Sequence, residues 1–113
     1  MSGITTHVLD TSRGRPASGV PVLLEIREEN GWRESGRALT DADGRVRQLL
    51  PLGSALITGT YRLTFGIETY FRTQGIETFY PEASIAFHVR DANQHHHVPL
   101  LLSPFGYSTY RGS

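Results

Sequence analysis

The sequence predicts an all-β protein, a two-sheet sandwich of about eight short strands with one short helix. Two observations carry this. Apolar and polar residues alternate with a period of two over most of the chain, as in strands with one buried face. Turn residues interrupt that alternation at short intervals. A length of 113 residues suits one domain spanning 1–113 and leaves little room for a second core. A small barrel is the alternative architecture.

The elements follow in order. Ile4, Thr6 and Val8 alternate with Thr5, His7 and Leu9 in a first strand. Asp10–Gly19 contains Gly14, Pro16 and Gly19 and reads as turn-like. Val20, Val22, Leu24 and Ile26 form the apolar row of a second strand, and Asn30-Gly31 is a hairpin signal leading into Trp32–Thr40. Asp41–Gly44 is a further turn, ahead of a strand around Arg45–Leu49. Pro51–Gly59 connects to a strand carrying Tyr61, Leu63 and Phe65. Between Glu68 and Gly75 the two-residue period is lost, which predicts a short helix ending at Gly75. Ile85, Phe87 and Val89 mark another strand, and His95–Leu102 the one after it. Pro104 and Gly106 then turn the chain into Tyr107–Arg111.

Composition removes several kinds of chemistry. Formal net charge is zero, from 11 basic and 11 acidic residues. The basic residues, all arginine, are scattered, so no concentrated positive field favours nucleic acid. Chains this neutral are mildly prone to self-association. There is no cysteine, so disulfides, thiolate zinc sites and cysteine nucleophiles are absent. No run approaches a membrane span; the densest apolar patch, Val98–Leu102, stops at Ser103-Pro104. With no basic and apolar opening stretch of the secretory kind, a cytoplasmic location is the default expectation.

Strand parity sorts the histidines. His95, His96 and His97 are adjacent, and neighbours on a strand point to opposite faces. His96 shares the apolar row of Val98, Leu100 and Leu102, which predicts the core face, whereas His95 and His97 point outward. His7 points outward from the first strand if Ile4, Thr6 and Val8 point inward. If Asp91–Gln94 forms a hairpin turn, Arg90 pairs with His95, Val89 with His96 and His88 with His97. That register places His88 roughly 5 Å from His97 at Cβ. The outward patch is then either a catalytic or metal-binding site, or a solvated face that happens to carry imidazoles. Arg45, directly after Asp43-Gly44, enters a strand from a turn and shares a face with Arg47. The end of the chain is aromatic and hydroxyl-rich, unlike most termini. It reads either as a segment packed against another surface or as an ordinary edge strand.

Several motifs resemble those of the 5-hydroxyisourate hydrolases, also called transthyretin-related proteins, and the resemblance runs almost end to end. They are Thr5-Thr6-His7-Val8-Leu9-Asp10-Thr11 with Gly14-Arg15-Pro16-Ala17 and Gly19-Val20, then Thr40-Asp41-Ala42-Asp43-Gly44-Arg45, then Phe79-Tyr80-Pro81. The block His95–Pro104 and the ending Tyr110-Arg111-Gly112-Ser113 complete the set. Each is weak alone; in this order and spacing they are specific.

The resemblance implies a transthyretin-like sandwich assembled as a homotetramer, a dimer of dimers, with catalysis where dimers meet. It implies catalytic roles for His7, Arg45 and His97. Arg45 would also bind substrate, and Tyr110, Arg111, Gly112 and Ser113 would close and shape the pocket. The implied reaction hydrolyses a ring amide C–N bond of 5-hydroxyisourate in urate breakdown, with no metal or organic cofactor. Transthyretin, the hormone carrier, lacks this histidine set and this ending. His96 departs from the tyrosine usual in the family, and Phe105 from a common tyrosine. The alternatives are a noncatalytic small-ligand carrier of the same fold, a metal site on the His88/His97 face, and a purely structural sandwich.

Overall fold

Burial along the first strand sets the layer. The computed structural model describes residues 3–113. In β1 (Gly3–Asp10), Ile4, Thr6, Val8 and Asp10 are buried, while the residues between them are half-exposed. The same alternation runs through β3 (Pro21–Glu28) and β6 (Gly59–Phe65). It runs again through β8 (His95–Ser103), where Pro99 is the one buried residue off the inward row. β2 (Arg15–Pro16) and β5 (Arg45–Val46) are two-residue strands on the same edge of β1. β4 (Gly31–Leu39), β7 (Ala83–Val89) and β9 (Gly106–Thr109) complete the set, with α1 (Ile67–Arg72) between β6 and β7.

These strands form two sheets, as expected. One runs β2-β1-β8-β9 with β5 also on β1; the other runs β4-β3-β6-β7. The β1–β8 ladder is parallel and every other ladder is antiparallel. Between the sheets lie Ile4, Val8, Leu24, Tyr61, Leu63, Phe65, Leu100 and Leu102. Each such large apolar side chain contributes about 1.5–3 kcal/mol by leaving water. The helix seals one end with Ile67, Tyr70 and Phe71, an i, i+3, i+4 face. It begins one residue earlier than the pattern suggests, and the turn after it closes at Gly75.

Two expectations need correction. The strand expected over Arg45–Leu49 shrinks to Arg45–Val46. The hairpin expected between β7 and β8 does not form. Asp91–Gln94 does turn, with Gln94 N–H donating to Asp91 O at 3.1 Å. That turn carries the chain from one sheet to the other, so His88 pairs with Thr60 while His97 pairs with Thr5. Alternation explains the error. Matched apolar rows satisfy an in-sheet pair and a face-to-face pair across a core equally well.

Asp10 ends β1 with a fully buried carboxyl group. It accepts hydrogen bonds from Ser12 N at 3.0 Å, Ser12 Oγ at 2.6 Å, Arg13 N at 3.3 Å and Tyr70 Oη at 2.8 Å. Burial, reinforced by Asp10, pushes the Tyr70 hydroxyl above its usual range and keeps it a donor. Helix and sheet are therefore tied through one carboxylate. Tyr70→Phe is expected to lower stability by about 1–2 kcal/mol, since a buried acceptor loses a partner. An unchanged urea midpoint would show that the tie contributes nothing.

Candidate functional site

β1 is paired along both edges, and its outward residues meet neighbours from each side. On one side the antiparallel ladder sets Arg45 of β5 opposite His7. On the other, the parallel ladder sets His97 opposite Thr5, His95 opposite Gly3 and Pro99 opposite His7. His7, Arg45 and His97 thus share the outer face of three adjacent strands, each half-buried. Three of the expected site residues therefore lie on one face.

The turn before β5 is built to deliver Arg45. The Asp41 carboxylate accepts bonds from Asp43 N and Arg45 N, each at 2.9 Å. Those N–H groups, the one on Arg45 above all, hold the Asp41 carboxyl below its ordinary range. Gly44 has φ +74°, and its carbonyl accepts from Val8 N at 2.7 Å. A Cβ on Gly44 would stand 2.4 Å from Val8 O, so only glycine lets the turn lie this close to β1. Arg47 is drawn to the turn acids, at 3.7 Å from Asp41 and 3.4 Å from Asp43. Among the described residues Arg45 pairs with no carboxylate, which leaves its guanidinium free for an anionic or carbonyl-rich ligand.

His97 is held from two directions. Its Nδ1 lies 2.8 Å from Thr5 Oγ1, and the same oxygen lies 2.8 Å from His95 Nε2. Its carbonyl accepts from Gly112 N at 2.8 Å. A Cβ on Gly112 would fall 2.5 Å from His97 Cδ2 and 3.2 Å from Pro99 Cγ, so the tail backbone lies directly against the ring. Burial pushes the His97 imidazole below its ordinary value, and the charges of Arg45, His7 and His95 add to that. These influences favour the neutral form of the ring, whose tautomer is set by its contact with Thr5.

The remaining candidates divide. His96 faces the core as parity predicted, 4% exposed, and its Nδ1 has no partner among the described residues. Burial, then the charge of Arg111, pushes its titration down. It lines a small apolar cleft of about 130 Å³ with Ile85, Phe87, Tyr110 and Arg111. Of the tail, Gly112 bonds to the His97 backbone, while Tyr110 and Arg111 line that cleft, which His97 also borders and His7 and Arg45 do not. Arg111 Nη2 donates to Gln94 Oε1 at 3.1 Å, and Ser113 is exposed just past Gly112. His88 also borders the cleft, but it stands in the other sheet with Nδ1 3.3 Å from Thr60 Oγ1. The strand pair that suggested a His88/His97 metal site is therefore not formed, and no group of three potential metal ligands occurs among the described residues. Thr5 was missed. Its outward parity with His7 was visible, but its place beside His97 depends on a pairing 92 residues apart.

This sandwich, with β1 and β8 parallel at the centre of one sheet and a basic, imidazole-bearing outer face, has the transthyretin-like fold. The chain belongs to the HIUase/Transthyretin family, whose model matches residues 4–112. It is 46% identical over 110 residues to the 5-hydroxyisourate hydrolase of Salmonella typhimurium, covering 97% of this chain and 80% of that protein. The structure of Klebsiella pneumoniae 5-hydroxyisourate hydrolase aligns with a TM-score of 0.86 at 38% identity, covering 100% of this chain and 94% of the other. Transthyretin from Sparus aurata aligns with a TM-score of 0.89 at 28% identity, covering 99% and 97%.

In a ring-resolved NMR titration, His97 is expected below the ordinary histidine value of about 6.5. Arg45→Gln is expected to move it upward, because a positive neighbour is removed. An absent or downward shift would show that Arg45 does not act on the ring.

Proposed function

We propose that this chain hydrolyses the ring amide C–N bond of 5-hydroxyisourate, as a homotetramer in which the tail helps to close each site. The observation that carries this is the convergence of His7, Arg45 and His97 on one face, with the guanidinium uncommitted to any carboxylate. The relatives of Salmonella typhimurium and Klebsiella pneumoniae bear the name of that activity. Fold likeness alone does not decide the matter, since transthyretin from Sparus aurata shares the architecture.

Direct attack by water fits these residues. A histidine of the His7/His97 pair removes a proton as the water oxygen bonds to the ring carbonyl carbon. The carbonyl oxygen becomes an oxyanion, and the planar fork of Arg45 stabilises it. Collapse re-forms the carbonyl and breaks the C–N bond, and the departing nitrogen takes up a proton from imidazole. The products are a carboxylic acid and the freed ureido N–H of the opened ring, so atoms and protons balance without a metal or organic cofactor.

Self-association has separate support. Phe79, Phe105 and Tyr110 are strongly exposed around β9 and the turn before it. Tyr107 stacks edge-on against Tyr80 at 5.4 Å, and Tyr80 against Phe79 at 4.9 Å. An aromatic patch of this kind suits a buried interface better than water.

The direct test follows the absorbance decay of freshly generated 5-hydroxyisourate with and without the protein. Acceleration is expected, and a decay equal to the spontaneous rate would sink the assignment. His97→Ala, folded by circular dichroism, is expected to lower kcat/KM on the order of 10²–10⁴-fold. Arg45→Lys keeps the charge but loses the fork, and is expected to lower kcat more than it raises KM. Removal of Tyr110–Ser113 is expected to reduce activity and alter the mass by light scattering; unchanged values for both would remove the tail from the site.

A further inference from the structure

Thr5 Oγ1 stands between two imidazoles, 2.8 Å from His97 Nδ1 and 2.8 Å from His95 Nε2. A hydroxyl has one proton and two acceptor lone pairs, so it can donate to one of these nitrogens while accepting from the other. Two arrangements of neutral rings use it in that way; a third, in which it accepts from both rings, passes no proton. In one, His97 Nδ1–H donates to Thr5, Thr5 donates to His95, and His97 Nε2 is bare. In the other, His95 Nε2–H donates to Thr5, Thr5 donates to His97 Nδ1, and His97 carries its proton on Nε2. The first makes His97 a base toward the site, and the second makes it an acid. We propose that His95 and Thr5 form a proton relay that switches His97 between these two states during each turnover, with His95 as its solvent terminal. This rests on the hydrolase assignment above.

The relay conserves protons. His97 Nε2 takes a proton from the attacking water, and its Nδ1 proton passes to Thr5 Oγ1. The Thr5 proton passes to His95 Nε2, and His95 releases its own Nδ1 proton to solvent. His97 is then neutral with its proton on Nε2, ready for the departing nitrogen. When that proton leaves, Thr5 returns a proton to His97 Nδ1, His95 Nε2–H resupplies Thr5, and solvent reprotonates His95 Nδ1. One proton moves from water to the leaving nitrogen, and the one lent to solvent comes back.

The surroundings give the relay a purpose. The charged and titratable groups around His97 are His7 on β1, Arg45 on β5 and His95 on its own strand, with His88 of β7 and Tyr110 and Arg111 of the tail lining the small cleft that His97 also borders. No carboxylate pairs with either ring among the described residues. An imidazolium at His97 would stand beside the Arg45 guanidinium in a partly dry site, where like charges repel strongly. Handing the excess proton to an exposed ring two residues along the strand avoids that state. His95 is placed for exchange. It is exposed and borders an open, polar groove with Gly3, Asn93 and Arg47. Its Nδ1 lies over Gly3, 3.8 Å from where a side chain would begin, so nothing on that residue covers it.

The test compares kcat, KM and pH profiles of the folded chain and five variants, His97→Ala among them as the control. Thr5→Val keeps the shape and removes the hydroxyl, and is expected to lower kcat by about tenfold or more with little change in KM. Thr5→Ser restores the hydroxyl and most of the rate. His95→Gln retains a hydrogen-bonding group but cannot pass a proton along, and is expected to be as slow as Thr5→Val. His95→Ala is expected to be slow and to recover as free imidazole is added, an effect that lost packing would not show. Wild-type kcat in Thr5→Val and His95→Ala, with His97→Ala inactive, overturns the relay and leaves the hydrolase assignment standing. Full activity in His95→Gln also overturns it, because anchoring would then suffice. A wild-type chain that does not accelerate the decay overturns both.

Discussion

The outer face of β1 exists because its backbone is hydrogen-bonded along both edges, antiparallel to β5 and parallel to β8. Side chains on neighbouring strands share a face only when their ladders are in register, and a slip by one residue would turn each one over. The register is held from beneath by buried contacts. Ile4, Val8, Val98, Leu100 and Leu102 fill the core from these strands, and Thr6 Oγ1 donates to Val98 O at 2.6 Å across the ladder. Sliding β8 against β1 would bring polar residues into the core and break that bond. Core packing thus fixes the chemistry on the opposite surface, although no core residue takes part in it.

The electrostatics of the face follow from which acids were kept away. Asp41 and Asp43 stay with their turn and with Arg47, and Asp10 lies inside with Tyr70 and Ser12. Among the described residues no carboxylate reaches Arg45 to neutralise it. Burial, and after it the excess positive charge, push His97 below its ordinary value. A carboxylate partner would instead raise the histidine and commit it to the protonated form. The hydrolysis proposed above, in which this face would bind a carbonyl-rich ring and remove a proton, benefits from the first arrangement. Arg45 and Arg47 look alike in sequence and differ here only because one turn captures the second.

What was legible in the sequence is what depends on neighbours along the chain. Parity alone turned His97 outward and His96 inward, and it put His7 on the outer face. Turn chemistry located Gly44, though not its contact with Val8. Apart from the far boundary of β5, the failures are questions of partner choice. The alternating rows of β7 and β8 fit each other as a hairpin and also as opposed layers of a core, and local pattern cannot separate the two. The β1–β8 ladder joins segments about as far apart as the chain allows, and parallel pairing leaves no turn signature between them. The resemblance, rather than periodicity, therefore joined His7 and Arg45 to His97, and Thr5, a strand threonine of ordinary appearance, carried no mark of its position.

The tail raises a different issue, because the same sandwich is found in a protein named as a hydrolase and in one named as transthyretin. Architecture at this level of similarity supplies a platform, and function must come from what the platform carries. Gly112 shows how narrow that difference is. Its N–H is bonded to His97 O, and the absence of a side chain lets the backbone rest on the ring edge and on Pro99. A larger residue would push the tail off the face or turn the imidazole, and either change would disturb the nitrogen presented to a ligand. The ending is thus bound to the geometry of His97 within a single chain. Tyr110 and Arg111 line the cleft beside β7, next to the edge strand β9. In the assembly proposed above, one short segment would then touch both His97 and an exposed aromatic surface, so the site and the oligomer would form through the same few residues.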